Sequence, residues 1–159
     1  MIVNKKDKIK LKLIDTCGQE KYRSLTKSYI KNADAVLFVF SKNDKESFYS
    51  ITEWIKLLDE NICKKNIIKY LVGNNIELKP EIEDNLIDKF AKENNMPYMK
   101  ISGNKKINID NLFEDLGKKL YLKYINSKIS SIKLLGNSNK KKLHKLPFEY
   151  YHLSKYINY

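Results

Sequence analysis

Asp15, Thr16, Cys17, Gly18, Gln19 and Glu20 form the stretch of this 159-residue chain whose types and spacing could do chemistry. From Lys8 to Ile14 the sequence alternates polar and apolar residues with period two, the pattern of a half-buried strand. Such a strand hands its last carboxylate to a loop. At the carboxyl end of a strand in an α/β sheet, where ligands bind, an aspartate is the residue type that holds Mg²⁺ directly or through water. Asp15 is therefore a candidate metal residue. Gly18 carries no Cβ and lets backbone approach a phosphate closely, and Gln19 is an uncharged side chain able to orient a water.

The elements that must position these residues follow from the rest of the chain. Gln19 to Ile30 carries Tyr22, Leu25, Tyr29 and Ile30 at irregular helical spacing, and Ala33 to Ser41 contains the unbroken apolar run Ala35-Val36-Leu37-Phe38-Val39-Phe40. A run of that kind is a central strand covered by helices on both faces. Asn43 or Asp44 can cap a helix reaching about Ile62, with Phe48, Ile51, Ile55, Leu58 and Ile62 on one stripe and Trp54 beside it as a core residue. Ile67 to Val72 reads as a strand, and Pro80 opens a helix to about Glu93 that packs through Ile82, Leu86 and Phe90. Pro97 to Ser102 is a further strand. Asp110 is expected to cap a last helix with Leu112, Phe113, Leu116, Leu120 and Tyr124 facing inward. Before all of these, Ile2-Val3 and Asn4-Lys5-Lys6-Asp7 suggest one arm and the turn of a hairpin entered partway through. Strand and helix alternate throughout, so the fold class is α/β with crossover helices.

Composition narrows the function classes. With 42% hydrophobic and 31% charged residues the chain can bury one domain's core. No apolar run of about 18 residues is present, and the N-terminal residues lack the apolar core of a secretory signal, so an intracellular, cytoplasmic protein is expected. Cys17 and Cys63 have no CxxC neighbour, which argues against disulfides and zinc, and His144 and His152 have no ligand cluster around them. The net charge of +12 points less to nucleic acid than it first suggests. Residues 126–159 hold seven of the 31 basic and only one of the 19 acidic residues, so half the net charge sits in this short segment. No aromatic RNA-binding strand, zinc finger or helix-turn-helix pattern accompanies it, and no nucleic-acid partner is expected.

The run Asp15-Thr16-Cys17-Gly18-Gln19-Glu20, continued by Lys21-Tyr22-Arg23-Ser24-Leu25, closely resembles the Asp-Thr-Ala-Gly-Gln-Glu segment and switch II of Ras-superfamily small GTPases, the Rab family above all. Arg23 to Ala33 is similar to the Rab pattern leading into the next strand, and Asp44-Lys45-Glu46-Ser47-Phe48 to its Glu-Ser-Phe helix opening. The resemblance covers roughly residues 8–125 and implies a P-loop NTPase-like fold, a mostly parallel sheet with helices on both faces. It implies GTP or GDP with Mg²⁺, GTP hydrolysis, and a switch in vesicle transport with effector, exchange and activating proteins bound through the switch II region. On this resemblance Asp15 holds Mg²⁺ through water, the Gly18 amide meets the γ-phosphate and Gln19 positions the attacking water. Cys17 stands where the family has alanine.

Two loops match the family's base-recognition positions with changes. Asn74-Asn75-Ile76-Glu77 stands for Asn-Lys-x-Asp, so Asn74 matches, Asn75 lacks the lysine stem that lies over guanine, and Glu77 carries its carboxylate one methylene further out. Ser102-Gly103-Asn104 stands for Ser-Ala-Lys, with Gly103 keeping the backbone amide that meets the base oxygen. Judged by themselves, both loops also read as ordinary polar turns after strands. The five glycines, at 18, 73, 103, 117 and 136, make no Gly-x-x-x-x-Gly-Lys-[Ser/Thr]. The expected domain, residues 1–125, thus lacks the family's N-terminal strand, phosphate loop, first helix and switch I, a unit of roughly 40 or more residues. An incomplete copy of a longer protein is the favoured explanation and a degenerate, nucleotide-independent interaction module the alternative. In the family the missing strand lies mid-sheet, between the strands matching Lys8–Ile14 and Ala33–Ser41, which would otherwise have unpaired edges. Residues 126–159 are expected to be a solvated variable tail, basic and aromatic-ended, without prenylation cysteines. Its lysines would give at most weak, transient contact with anionic endomembranes.

Overall fold

The computed structural model describes residues 9–16, 23–62, 66–134 and 150–157, with 23–26, 132–134 and 150–157 described by backbone alone. The hairpin arm and turn expected before Lys8 fall outside these residues, as do Cys17, Gly18, Gln19, Glu20 and Cys63. The elements run β1 (Lys10–Thr16), α1 (Arg23–Asn32), β2 (Ala35–Ser41), α2 (Lys45–Tyr49), α3 (Ile51–Asn61), β3 (Ile68–Asn74), α4 (Asp84–Glu93), β4 (Tyr98–Lys100), α5 (Ile109–Leu134) and β5 (Tyr150–Ile157). The strands form one sheet in the order β1-β5-β2-β3-β4, with every pairing parallel.

The apolar run of β2 is explained by its two faces. Val36, Phe38 and Phe40 enter one core with Ile30, Phe48, Ile51, Leu58, Leu71, Ile87 and Ala91. Ala35, Leu37 and Val39 enter another with Tyr70, Val72, Leu112, Leu116 and Leu120. Residues from α1 to α4 thus pack on one side of the sheet and α5 on the other. A polar contact joins α5 to the sheet, since the Tyr70 hydroxyl donates to the Asp115 carboxylate while Lys119 pairs with Asp115 at 3.1 Å and lies 4.5 Å from the centre of the Tyr70 ring. Burial, and then the bond to Asp115, pushes the Tyr70 hydroxyl well above its ordinary range.

Three local expectations are corrected. The single helix expected up to Ile62 is two, α2 and α3, because the Ser50 hydroxyl donates to the Ser47 carbonyl at 2.8 Å, an acceptor that a continuous helix gives to Ile51. The cap at its start is as expected: Asp44 accepts from the amides of Glu46 and Ser47 at 2.9 and 3.2 Å. Helix α4 begins at Asp84 rather than Pro80, with Ile82 buried ahead of it and the Glu81 amide donating to the Lys42 carbonyl at 2.9 Å. That start turns Ile87 and Ala91 inward and leaves Leu86, expected inside, exposed. In α5 the Leu112 amide already donates to the Asn108 carbonyl, so the helix starts ahead of Asp110.

The largest difference is β5. The expected solvated tail instead supplies the strand between β1 and β2, with Lys10 to Thr16 in register with Tyr150 to Tyr156 and Ala35 to Val39 with Leu153 to Ile157. Two parallel strands facing a gap present two rows of backbone donors and acceptors, and an extended segment with three tyrosines among its eight residues can satisfy both at once. Helix α5 also runs on past residue 125 to Leu134.

Candidate functional site

A parallel sheet brings the carboxyl ends of all its strands to one edge, the edge at which α/β proteins bind ligands. Here that edge collects Asp15 and Thr16 from β1, Ser41 from β2, Asn74 from β3, and the loop after β4 carrying Ser102 and Gly103. Asp15 is exposed and Thr16 buried. β1 and β3 are three strand spacings apart in the sheet order, which is roughly 14 Å. One ligand reaching from Asp15 to the β3 loop must therefore be elongated.

The β3 and β4 loops are tied into one unit. The Gly103 amide donates to Asn74 Oδ1 at 2.9 Å, so the strand-end asparagine holds the neighbouring loop by its backbone. Ser102 is fully buried, and its backbone exchanges hydrogen bonds with Ile107 at 3.1 and 3.0 Å, closing the turn between them. Its hydroxyl accepts from the Lys105 amide at 2.9 Å and donates to the Glu77 carboxylate. That bond from Ser102, then one from Glu77's own backbone and the nearby charge of Lys105, outweigh desolvation and hold the Glu77 carboxyl below its ordinary value. Glu77 is ionised at neutral pH. Its Oε2 atom is nevertheless shielded from solvent with no hydrogen-bond partner. A buried acceptor left in that state is unfavourable until a donor arrives, so the loop offers a place for an N–H group.

Asn75 does something the sequence did not suggest. Its backbone is left-handed, with φ 59°, a region asparagine tolerates, and its side chain turns to donate to Ser41 Oγ at 2.6 Å. Ser41 Oγ in turn donates to Asn43 Oδ1 at 2.5 Å, and the Ser41 amide donates to Ser47 Oγ at 3.0 Å. Asn75 thus braces the β3 loop against the end of β2. Asp84 forms a second unforeseen cluster: it accepts from Lys100 at 2.6 Å and from Lys42 at 2.7 Å, with Lys42 almost wholly buried. The Lys100 and Lys42 bonds, in that order, hold the Asp84 carboxyl below its ordinary value. Nothing in spacing pointed to it, since Lys42 and Asp84 are brought together only by the fold.

Of the residues expected to act, Asn74, Glu77, Ser102 and Gly103 are brought together, and Asp15 lies on the same sheet edge. Gly18 and Gln19 lie outside the described residues. Among the described residues no group of three or more His, Cys, Asp and Glu could hold a metal ion by itself. A lone exposed carboxylate still fits Mg²⁺, which is commonly held by one or two carboxylates together with substrate phosphates. Guanine fits the β3–β4 unit by donor chemistry, because its Watson–Crick edge carries N–H groups that the orphaned Glu77 oxygen can accept.

The parallel sheet with helices packed on both faces is an α/β fold of small-GTPase type. Comparison with known proteins agrees: the model of the Ras family matches residues 1–122, and the chain belongs to that family. It is similar to Ras-related protein Rab-30 of Homo sapiens, 34% identical over 116 residues that cover 72% of this chain and 57% of the relative. It is likewise similar to Ras-related protein Rab-13 of Bos taurus, 31% identical over 135 residues covering 84% of this chain and 63% of the relative. The GTP-binding protein YPT1 of Saccharomyces cerevisiae (strain ATCC 204508 / S288c) is 30% identical over 114 residues, 70% of this chain and 55% of the relative. The chain therefore spans little more than half the length of most of these relatives. No helix among the described residues is long and apolar enough to cross a membrane.

Proposed function

We propose that this chain is a Rab-like small GTPase domain that recognises a guanine nucleotide through its β3 and β4 loops and acts as a switch in vesicle transport. The observation that carries the reading is the buried, unpartnered Glu77 Oε2 beside the Asn74–Gly103 clamp. Glu77 accepts from the base edge, Asn74 and Ser102 hold the two loops in register, and the Gly103 region presents backbone to the base. Asp15 holds Mg²⁺ through water, the Gly18 amide meets the terminal phosphate and Gln19 orients the attacking water. Bound Mg²⁺ supplies neutralisation of phosphate charge. Effector, exchange and activating proteins dock through the segment around Gln19 to Ile30. Contact with anionic endomembranes is weak and peripheral, the protein is otherwise cytoplasmic, and nucleic acid is not a partner.

Within these 159 residues the five glycines form no phosphate cradle followed by lysine, so nucleotide affinity of this chain alone is weak. A titration of GDP with Mg²⁺, followed through backbone amide shifts, tests the reading. GDP is expected to move Asn74 to Glu77 and Ser102 to Asn104 and ADP to leave them unmoved. Equal response to both nucleotides, or none, refutes guanine recognition. A second reading, a nucleotide-independent interaction module, is favoured by β5, which fills the sheet between β1 and β2 and completes it without any nucleotide-bearing strand. It predicts the silent titration.

A further inference from the structure

Helix α5 carries its apolar residues on one side as far as Leu120 and on the opposite side beyond it. Leu112, Leu116 and Leu120 are buried against Ala35, Leu37, Tyr70 and Val72. Lys123 Nζ donates at 3.4 Å to the carbonyl of Asp34, just ahead of β2, so here the helix reaches the amino edge of the sheet. It runs on to Leu134, roughly 16 Å further. Over that length the side that carried the core holds Lys123, Ser127, Ser130 and Ser131, and the three serine hydroxyls donate back to the helix's own carbonyls at 2.7, 2.9 and 2.9 Å. The apolar residues have moved round. Leu122 is 58% exposed, Ile125 half-buried and Ile129 44% exposed, and the three lie within about 60° of one another and about 160° round the helix from the core stripe. Every residue from Asn126 to Ser131 is exposed.

An exposed stretch rich in serine, asparagine and β-branched isoleucine is a poor helix by itself, and a covering surface would hold it. The spacing says of what kind. Leu122, Ile125 and Ile129 stand three and four apart, and Ile132 takes the next place in the repeat, which makes the narrow seam of a coiled coil. Helices that pack on a sheet or lie in a bilayer surface use a wider stripe, about 100° or more. The charge says which partner. Between Leu120 and Leu134 stand three lysines, at 123, 128 and 133, and no acidic residue, and by helical position Lys128 and Lys133 flank the seam on opposite sides. A second copy of α5 would set lysine against lysine. We propose that the outer stripe of the distal half of α5 is a docking seam for an amphipathic helix of a partner protein, with apolar residues at the same three-four spacing and Glu or Asp on both flanks. The Lys128 amine lies 5.2 Å from the centre of the Tyr124 ring, a contact weak enough at an exposed site to yield to a carboxylate.

Titration of the full chain without nucleotide tests this. The probe is a capped synthetic peptide of about three heptads with isoleucine at a, leucine at d and glutamate at e and g, and the control is the same peptide with lysine at e and g. The acidic peptide is expected to move the amides of Leu122 to Ile129 with a Kd of order 100 µM and to gain helix as it binds, and the lysine peptide to bind at least tenfold more weakly. A chain carrying Leu122→Gln and Ile129→Gln, both at exposed positions, is expected to keep the urea midpoint read through Trp54 and to bind the acidic peptide at least tenfold more weakly. The proposal is overturned if the two peptides bind alike, if neither binds, or if the double variant binds the acidic peptide as the unaltered chain does. It also fails if vesicles of phosphatidylserine and phosphatidylcholine cover 122–129 while the acidic peptide does not, since the occupant is then a bilayer. A dimer in sedimentation that the double variant abolishes overturns it as well, since the occupant is then a second copy.

Discussion

Gly73 is the last residue of β3 before Asn74, and its lack of a side chain is what lets Tyr98 pack over the strand. A Cβ built at Gly73 would stand 2.8 Å from the Tyr98 hydroxyl oxygen and 3.1 Å from both Phe40 Cζ and Tyr98 Cε2. These neighbours cannot easily retreat: the Tyr98 ring stacks on Phe40 with centroids 6.2 Å apart, and Phe40 meets Phe48 edge-on at 5.0 Å. Gly73→Ala is expected to destabilise by about 1–3 kcal/mol through overpacking, offset by about 0.4–1 kcal/mol from the stiffer unfolded chain. At mid-range the net loss is about 1.3 kcal/mol, a fall in Tm of roughly 3–5 °C at this chain length. Tyr98→Phe removes a buried hydroxyl that has no partner, so alone it is expected to be neutral or stabilising by up to about 1 kcal/mol. In the double variant the 2.8 Å contact disappears while the 3.1 Å contacts remain. At least half of the Gly73→Ala loss should return, a coupling of about 0.5 kcal/mol or more. Urea unfolding followed through Trp54, the one tryptophan, which packs against the same core, measures the cycle. Strictly additive effects, or a neutral Gly73→Ala, refute the argument that Tyr98 is what requires the glycine.

Asp84→Asn should lower stability at neutral pH by no more than about 1 kcal/mol, because the carboxylate is nearly half exposed and solvent screens its pairs with Lys100 and Lys42. Since its folded pKa is depressed, its contribution is present above the unfolded value of about 4 and lost as pH falls through the folded value, so urea midpoints between pH 5 and pH 2 should fall less steeply for the variant than for the unaltered chain. Parallel acid limbs would contradict this. Asp44→Ala removes both capping bonds of α2 and should cost about 1 kcal/mol, whereas Asp44→Ser should recover most of it; equal losses in the two would show that the cap contributes nothing. Glu77→Gln replaces an acceptor pair by one acceptor and one donor, and is expected to weaken GDP tenfold or more and inosine diphosphate, which lacks the exocyclic amine, by less. Competition binding that shows equal losses for the two nucleotides would remove Glu77 from base recognition.

What was legible in the sequence was whatever depended on near neighbours. The apolar run of β2 and the stripe of Phe48, Ile51 and Leu58 each report their own burial through period and appear where expected, and the alternation before Asp15 gives its strand although Leu13 is exposed. Asn74, Glu77, Ser102 and Gly103 were also marked, as two loops following two strands. The phase of α4 was not, because Ile82 is apolar and properly spaced yet is buried just ahead of the helix, and period cannot tell an early core residue from a first turn. The bracing of Asn75 by Ser41 and the pairing of Lys42 with Asp84 join positions 34 and 42 residues apart, which no local pattern encodes. β5 escaped for a related reason. Its mixed composition carries no strong period, and the slot that makes it a strand exists only once β1 and β2 are side by side.

That slot has a consequence for how the chain is made. Lys10 pairs with Tyr150, so β1 meets its neighbour across about 140 positions of sequence, and β5 is the last of the described strands to be synthesised. At translation rates of roughly 5–20 residues per second, β1 waits on the order of ten seconds or more before its partner leaves the ribosome. Through that interval β2 can dock on β3, while the other edge of β2 and the facing edge of β1 stay open to any extended segment nearby. Helices α1, α3 and α4 can assemble on β2 and β3 early, but closure through β5 is a long-range step that comes late. For a nascent chain of this design, the most aggregation-prone moment is the stretch of synthesis just before residue 150.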